Sequence, residues 1–157
     1  MPNFYIIGDI GNTDIKICVY KNKNIVKKIR LPTNKVNLKY LKKNLNVLRK
    51  YDKKLKQILF CSVVPNCYKK INNYFKLYFN TNCNELKNLN LSKLLSIKVN
   101  RKQIGSDRLA NAISVIDNKN NYIVVDFGTA TNFDVISANS YNGCLLYTSD
   151  AADDVHR

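Results

Sequence analysis

Two stretches set an acidic side chain beside a glycine and a hydroxyl, in the pattern that phosphate chemistry uses. Asp9-Ile10-Gly11-Asn12-Thr13 follows Tyr5-Ile6-Ile7-Gly8, and Asp126-Phe127-Gly128-Thr129-Ala130-Thr131 follows Tyr122-Ile123-Val124-Val125. An apolar run ending in Asp and Gly reads as a buried strand that closes in a tight turn. The glycine lets the backbone approach a ligand, and the hydroxyls behind it can donate to phosphate oxygens. A carboxylate at a strand end can hold a metal ion or a metal-bound water. The two copies lie about one domain length apart, which implies two domains and a nucleotide phosphate clamped between them. For Asp9 and Asp126 the plainer reading is a turn-forming Asp that caps its own backbone. Asn12, Thr13, Thr129 and Thr131 could likewise serve only turn backbones. The matched pair weighs against both.

Chemistry on a bound phosphate needs positioning, charge neutralisation and, where a protonated group attacks, something to accept its proton. The single His is His156, in the last residues of the chain, so no imidazole stands upstream. Of the 11 acidic residues, Asp150, Asp153 and Asp154 share that C-terminal stretch. Among the rest, Asp52 and Glu85 lie in ordinary solvated surroundings. Asp107 opens a helix, where the dipole favours a carboxylate, and has Arg108 beside it. It reads either as a common first-turn acid or as a base. Arg108 could pair with a surface carboxylate, or its fork could grip an anionic ligand.

The elements that must position these residues follow from periodicity. Phe4 to Ile10 reads as a strand with a turn at Gly11-Asn12-Thr13. Asp14 to Tyr20 alternates Ile15, Ile17 and Val19 inward, and Ile25 to Leu31 makes a third strand stopped by Pro32. Asn34 to Tyr51 switches to helical spacing, with Leu38, Leu41, Leu45 and Leu48 on one face. Gln57 to Val64 is a buried strand, and Pro65 suits the first turn of a helix reaching Phe79, with Ile71, Phe75 and Phe79 inward. Leu94 to Val99 reads as a short strand. Ile104 to Asp117 reads as a helix with Leu109, Ala112, Ile113 and Ile116 inward. Three antiparallel strands followed by alternating helices and strands is an α/β pattern.

A chain of 157 residues with 45% hydrophobic content can bury a real core. It shows no apolar run long enough to span a bilayer and no charged-then-apolar leader, so a cytoplasmic location is the default. Its five cysteines include no C-x-x-C pair, which points to reduced thiols rather than a disulfide frame or zinc site. The formal net charge of +15 comes mostly from Lys interspersed with Asn, not from one basic stripe with stacking aromatics. It reads as solvated surface rather than a nucleic-acid face, though it would gather anions such as ATP.

Taken together, Asp9-Ile10-Gly11-Asn12-Thr13, Ser62-Val63-Val64-Pro65, Gly105-Ser106-Asp107-Arg108-Leu109-Ala110-Asn111-Ala112 and Asp126-Phe127-Gly128-Thr129-Ala130-Thr131 resemble the type III pantothenate kinases. That family belongs to the superfamily of acetate and sugar kinases, Hsp70 and actin, built from ribonuclease-H-like halves. The resemblance covers roughly residues 4 to 143. It implies phosphoryl transfer from ATP, with Mg2+, to the primary hydroxyl of pantothenate, the first step of coenzyme A biosynthesis. It further implies that Asp9, Ile10, Gly11, Asn12, Thr13, Asp14, Ile15 and Lys16 form the first phosphate loop and that Thr129 contacts ATP. Gly105, Ser106, Asp107 and Arg108 would touch pantothenate, with Asp107 as the base. Asp126 would serve a monovalent cation, K+ or NH4+, and the full-length form would be a homodimer.

Three departures stand out. Asn132 replaces the last Thr of the family's D-x-G-T-A-T-T. Lys98 stands about nine positions before the base, where such kinases often carry a Tyr on the pantothenate side. After Gly143 the family pattern stops, and Lys and Asn vanish through residues 144–157. The expectation is therefore a complete first ribonuclease-H-like domain over residues 1–118 and the start of a second over 121–143. Residues 144–157 are expected to be a disordered tail of foreign origin, and this truncated form is expected to be inactive. The other class of function is a non-catalytic nucleotide-binding or transcription accessory protein. Another sugar or acid kinase would differ only in its acceptor.

Overall fold

The structure, a computed structural model, describes residues 3–127 and 131–147. The chain divides into two compact units, Met1–Leu89 and Asn90–Arg157.

In the first unit, strands β1 (Phe4–Ile10), β2 (Asp14–Lys21) and β3 (Asn24–Pro32) form an antiparallel meander. Helix α1 (Leu38–Leu45) leads through a 3-10 stretch, Asn46–Lys54, to β4 (Leu55–Ser62), which pairs parallel with β1. Helix α2 (Pro65–Phe79) and the short β5 (Asn84–Glu85) complete a sheet of order β3-β2-β1-β4-β5. The alternation in β1 and β2 buries Ile6, Ile10, Ile15, Ile17 and Val19 in one core with Phe60, Ile71 and Phe75. Gly8 sits in the inward phase of β1 because Phe60 fills the space its side chain would take: a Cβ there would lie 2.2 Å from the ring.

Two local expectations change. The helix expected from Asn34 to Tyr51 is broken: Asn37 caps α1 by accepting from the Tyr40 N–H at 2.9 Å, and the chain tightens to 3-10 after Leu45. Leu41, Leu45 and Leu48 are fully buried all the same, while Leu38, at the first position after the cap, is 40% exposed. Helix α2 runs as expected, with Pro65 in its first turn and Asn80 left-handed at its end.

In the second unit, β6 (Ser96–Ile97) precedes α3 (Ser106–Val115), and β7 (Asn121–Phe127), β8 (Thr131–Ser137) and β9 (Ser140–Tyr147) follow. The sheet order is β6-β9-β8-β7. Helix α3 packs on β7 and β8 and buries Leu109 and Ala112. The division at residues 89 and 90 therefore differs from the break expected at 118–121, which falls between α3 and the strands it covers. The strands after residue 121 belong to a four-stranded sheet. Residues 144–147, expected in a disordered tail, continue β9 and pair with β8, Cys144 opposite Asp134 and Leu145 opposite Phe133. The rest of that stretch lies outside the described residues. No helix among the described residues is long and apolar enough to cross a membrane.

Candidate active site

The first loop is built by the β1–β2 hairpin. The Gly11 N–H donates to the Asp14 carbonyl at 2.9 Å, the Thr33 hydroxyl donates to the Gly11 carbonyl at 2.7 Å, and the Thr33 N–H donates to the Thr13 carbonyl at 2.9 Å. The Ile10 carbonyl accepts from the Val63 N–H at 3.1 Å, which ties the Ser62-Val63-Val64-Pro65 turn to the loop. Ile10 and Ile15 send their side chains into the core, so only their backbone is left for a ligand. Asn12, Thr13 and Lys16 are exposed. Asp9 and Lys16, cross-strand partners, form a loose ion pair at 3.9 Å with both side chains about half exposed or more. Asp14 is held differently: the Arg30 guanidinium bonds its carboxylate and keeps it below the usual Asp range. That bond braces β2 against β3 beside the loop.

The second cluster lies at the start of α3. Gly105 is the residue before the helix, and Ser106 is fully buried. The Asp107 carboxylate accepts from the Arg108 N–H at 2.9 Å, the geometry of a first-turn acid. The Arg108 guanidinium reaches β8, where Nη2 donates to the Asn132 Oδ1 at 2.9 Å. Arg108 also lines a cavity of about 580 Å³ with Val99, Gln103, Ile104, Tyr141 and Leu145. Lys98 is exposed and uses its backbone N–H to reach the Tyr141 carbonyl at 3.0 Å.

Asp126 ends β7 opposite Asn132 of β8. By strand alternation it shares a face with the Asn132 and Asp134 side chains, while Val125 and Phe127 point the other way and are exposed. Thr129 and Gly128 lie outside the described residues. Among the described residues no three His, Cys, Asp or Glu side chains gather as a metal cage. A nucleotide-bound Mg2+ needs only one or two protein carboxylates beside phosphate oxygens. The partly exposed Asp9 fits that modest demand; Asp126, in the other unit, is a second partly exposed carboxylate near a strand end.

Sequence reading missed one pair. Asp134 is fully buried; its Oδ1 accepts from the Tyr141 hydroxyl at 2.7 Å, and among the described residues no hydrogen bond of ordinary geometry reaches its Oδ2. Burial pushes this carboxyl upward, against the pull of Tyr141, Cys144 and Arg108. Burial and the adjoining carboxylate likewise push the Tyr141 hydroxyl up. The signal was present as an acid in the inward phase of β8, two residues from Ile136.

A meander joined to parallel strands, with matched acidic strand ends, is the architecture of the actin-like ATPase class, whose halves are ribonuclease-H-like. The structural comparison agrees: the type II variant of the Ppx/GppA phosphatase from Aquifex aeolicus superposes with a TM-score of 0.51 at 11% identity, covering 92% of this chain and 51% of that one. A family model described as type III pantothenate kinase matches residues 5–148, and the chain belongs to that family. It is 54% identical over 142 residues to the type III pantothenate kinase of Pelagibacter ubique, covering 90% of this chain and 57% of that protein. It is 34% identical over 139 residues to that of Ehrlichia canis, covering 82% of this chain and 52% of that protein. The chain thus spans about half the length of the curated relatives it matches.

Proposed function

We propose that the protein carrying this chain transfers the γ-phosphoryl group of ATP to the primary hydroxyl of pantothenate, opening coenzyme A biosynthesis. What supports this is membership of the family together with one local arrangement: Asp107 and Arg108 adjoin at the start of α3, and the Arg108 guanidinium lines a cavity while bonded only to a neutral amide oxygen among the described residues. A planar cation at a cavity wall suits the carboxylate of pantothenate. Asp107, its neighbour, is the base that takes the hydroxyl proton, and Gly105 and Ser106 lend backbone to the same acceptor. In the first unit the loop from Asp9 to Lys16 receives phosphate oxygens, with the Gly11 backbone allowing close approach and Lys16 supplying positive charge. Thr129 belongs to the corresponding contact in the second unit.

Asp9 is the carboxylate we assign to the nucleotide's Mg2+, and Asp126 the one we assign to K+ or NH4+. Such cations would neutralise phosphate charge and hold the nucleotide in register. The strands from residue 121 onward read as part of a second ribonuclease-H-like domain, continued in the longer relatives. A homodimer and a cytoplasmic location complete the reading. An ADP-release assay on the full gene product, with pantothenate, with other hydroxy acids or sugars, and with no acceptor, tests it. Release that requires pantothenate supports the kinase. Release indifferent to every acceptor, or nucleotide binding without release, favours the non-catalytic reading.

A further inference from the structure

Arg108 and Asn132 are 24 residues apart in sequence and meet across the α3–β8 contact, Nη2 to Oδ1 at 2.9 Å. The acceptor is an amide. Among the described residues no carboxylate lies within 4 Å of the Arg108 guanidinium, whereas Arg30 is bonded by the Asp14 carboxylate and Lys16 lies beside that of Asp9. The buried acid near Arg108, Asp134, has its carboxyl pushed upward by that burial, against the pull of Arg108. The Cys144 thiol approaches the same Asn132 oxygen, at 3.9 Å.

An arginine can be fixed in two ways. A carboxylate holds it strongly and cancels its charge; an amide oxygen holds one arm and leaves the charge whole. A guanidinium pre-oriented at a cavity wall loses less side-chain freedom when an anion arrives, which raises affinity. Asn132 stands where the family pattern has a Thr, whose hydroxyl sits on a side chain shorter by one bond.

We propose that Asn132 is the positioning residue for Arg108: its neutral oxygen fixes one arm of the guanidinium at the cavity wall and leaves the cation free for the carboxylate of the acceptor. This rests on the reading of Arg108 as the acceptor clamp, and the two claims separate in one experiment. The full gene product is prepared with 15N-labelled arginine, and the Arg108 Nε and Nη signals are followed in the wild type, Asn132→Ala and Asn132→Asp. Pantothenate and, separately, acetate as a bare carboxylate are then titrated in.

The Arg108 Nη protons should be resolved in the wild type by slowed rotation, averaged in Asn132→Ala, and resolved again in Asn132→Asp, which restores an acceptor. Carboxylate affinity should fall in both variants. In Asn132→Asp it should fall roughly tenfold or more despite the restored bond, because the new carboxylate repels the ligand. A merely structural Asn132 predicts that Asn132→Asp, isosteric and able to accept, binds as the wild type does. That result, or Nη signals in Asn132→Ala identical to the wild type, overturns the proposal. If acetate moves the Arg108 signals and pantothenate does not, the acceptor reading fails while the positioning role stands.

Discussion

Replacing Gly8 by alanine tests how tightly the fold holds the first loop. Gly8 lies mid-β1, paired with Ile17 of β2 and Phe60 of β4. The new Cβ would meet Phe60 Cε1 at 2.2 Å, Cδ1 at 2.5 Å and the Lys16 carbonyl oxygen at 3.1 Å. Phe60 is fully buried, and its ring packs against Phe75 with centroids 6.2 Å apart. Phe75 in turn touches Tyr74 and Phe79 at 5.4 and 5.1 Å, so the ring cannot swing away without moving the aromatic cluster of α2. Overpacking of this kind costs about 1–3 kcal/mol. The opposing gain, less chain entropy in the unfolded state, is about 0.4–1 kcal/mol. The clash wins, and at about 2–4 °C per kcal/mol for a chain this long the melting temperature should drop by several degrees. Thermal melts followed by far-ultraviolet circular dichroism measure it. In a Phe60→Ala background both clashing ring carbons are gone and only the Lys16 carbonyl oxygen at 3.1 Å remains close, so Gly8→Ala should lose most of its cost. An unchanged melting temperature in the single variant, or an equal loss in both backgrounds, would refute the reasoning.

Three other outcomes are expected. Asp134 has a raised folded value, so its contribution to stability is intact below the ordinary Asp range near pH 3.9 and is lost as pH rises through that higher value. Asp134→Asn should therefore gain on the wild type as pH rises above the ordinary Asp range in denaturant titrations; a constant difference between the two curves would contradict the raised value. Gly143, at φ +133°, pairs with Val135 beside an irregularity in the β8–β9 register. Its replacement by alanine should cost about 1–3 kcal/mol in backbone strain, read as faster amide exchange in β8 and β9, and unchanged exchange would contradict this. Replacing Na+ by K+ at fixed ionic strength should raise phosphorylation by the full gene product, and Asp126→Asn should abolish that response; a variant retaining it places the cation elsewhere.

The elements ruled by local chemistry were legible. Proline at the first turn and apolar residues at helical spacing gave α2 its bounds, and period-two alternation gave β2 its inward residues. Helix α1 was overextended for a physical reason. Leu45 and Leu48 are three apart, a spacing that serves a 3-10 turn as well as an α-helix, and burial is the same in either. β9 was missed because the change in composition after Gly143 was taken as a change in structure, whereas strand pairing is a main-chain matter. At the candidate site, Asp107 and Arg108 were legible as neighbours. The bond from Arg108 to Asn132 was not, because it exists only once α3 packs on β8. The buried Asp134–Tyr141 pair likewise depends on the β8–β9 register.

The central claim is that Asp107 accepts the proton of the hydroxyl being phosphorylated. Turnover of ATP with pantothenate by the full gene product, measured for the wild type and for Asp107→Asn alongside nucleotide binding, tests it most directly. The account predicts a loss of roughly two to four orders of magnitude in turnover with ATP affinity kept. Near-normal turnover in the Asn variant would contradict it.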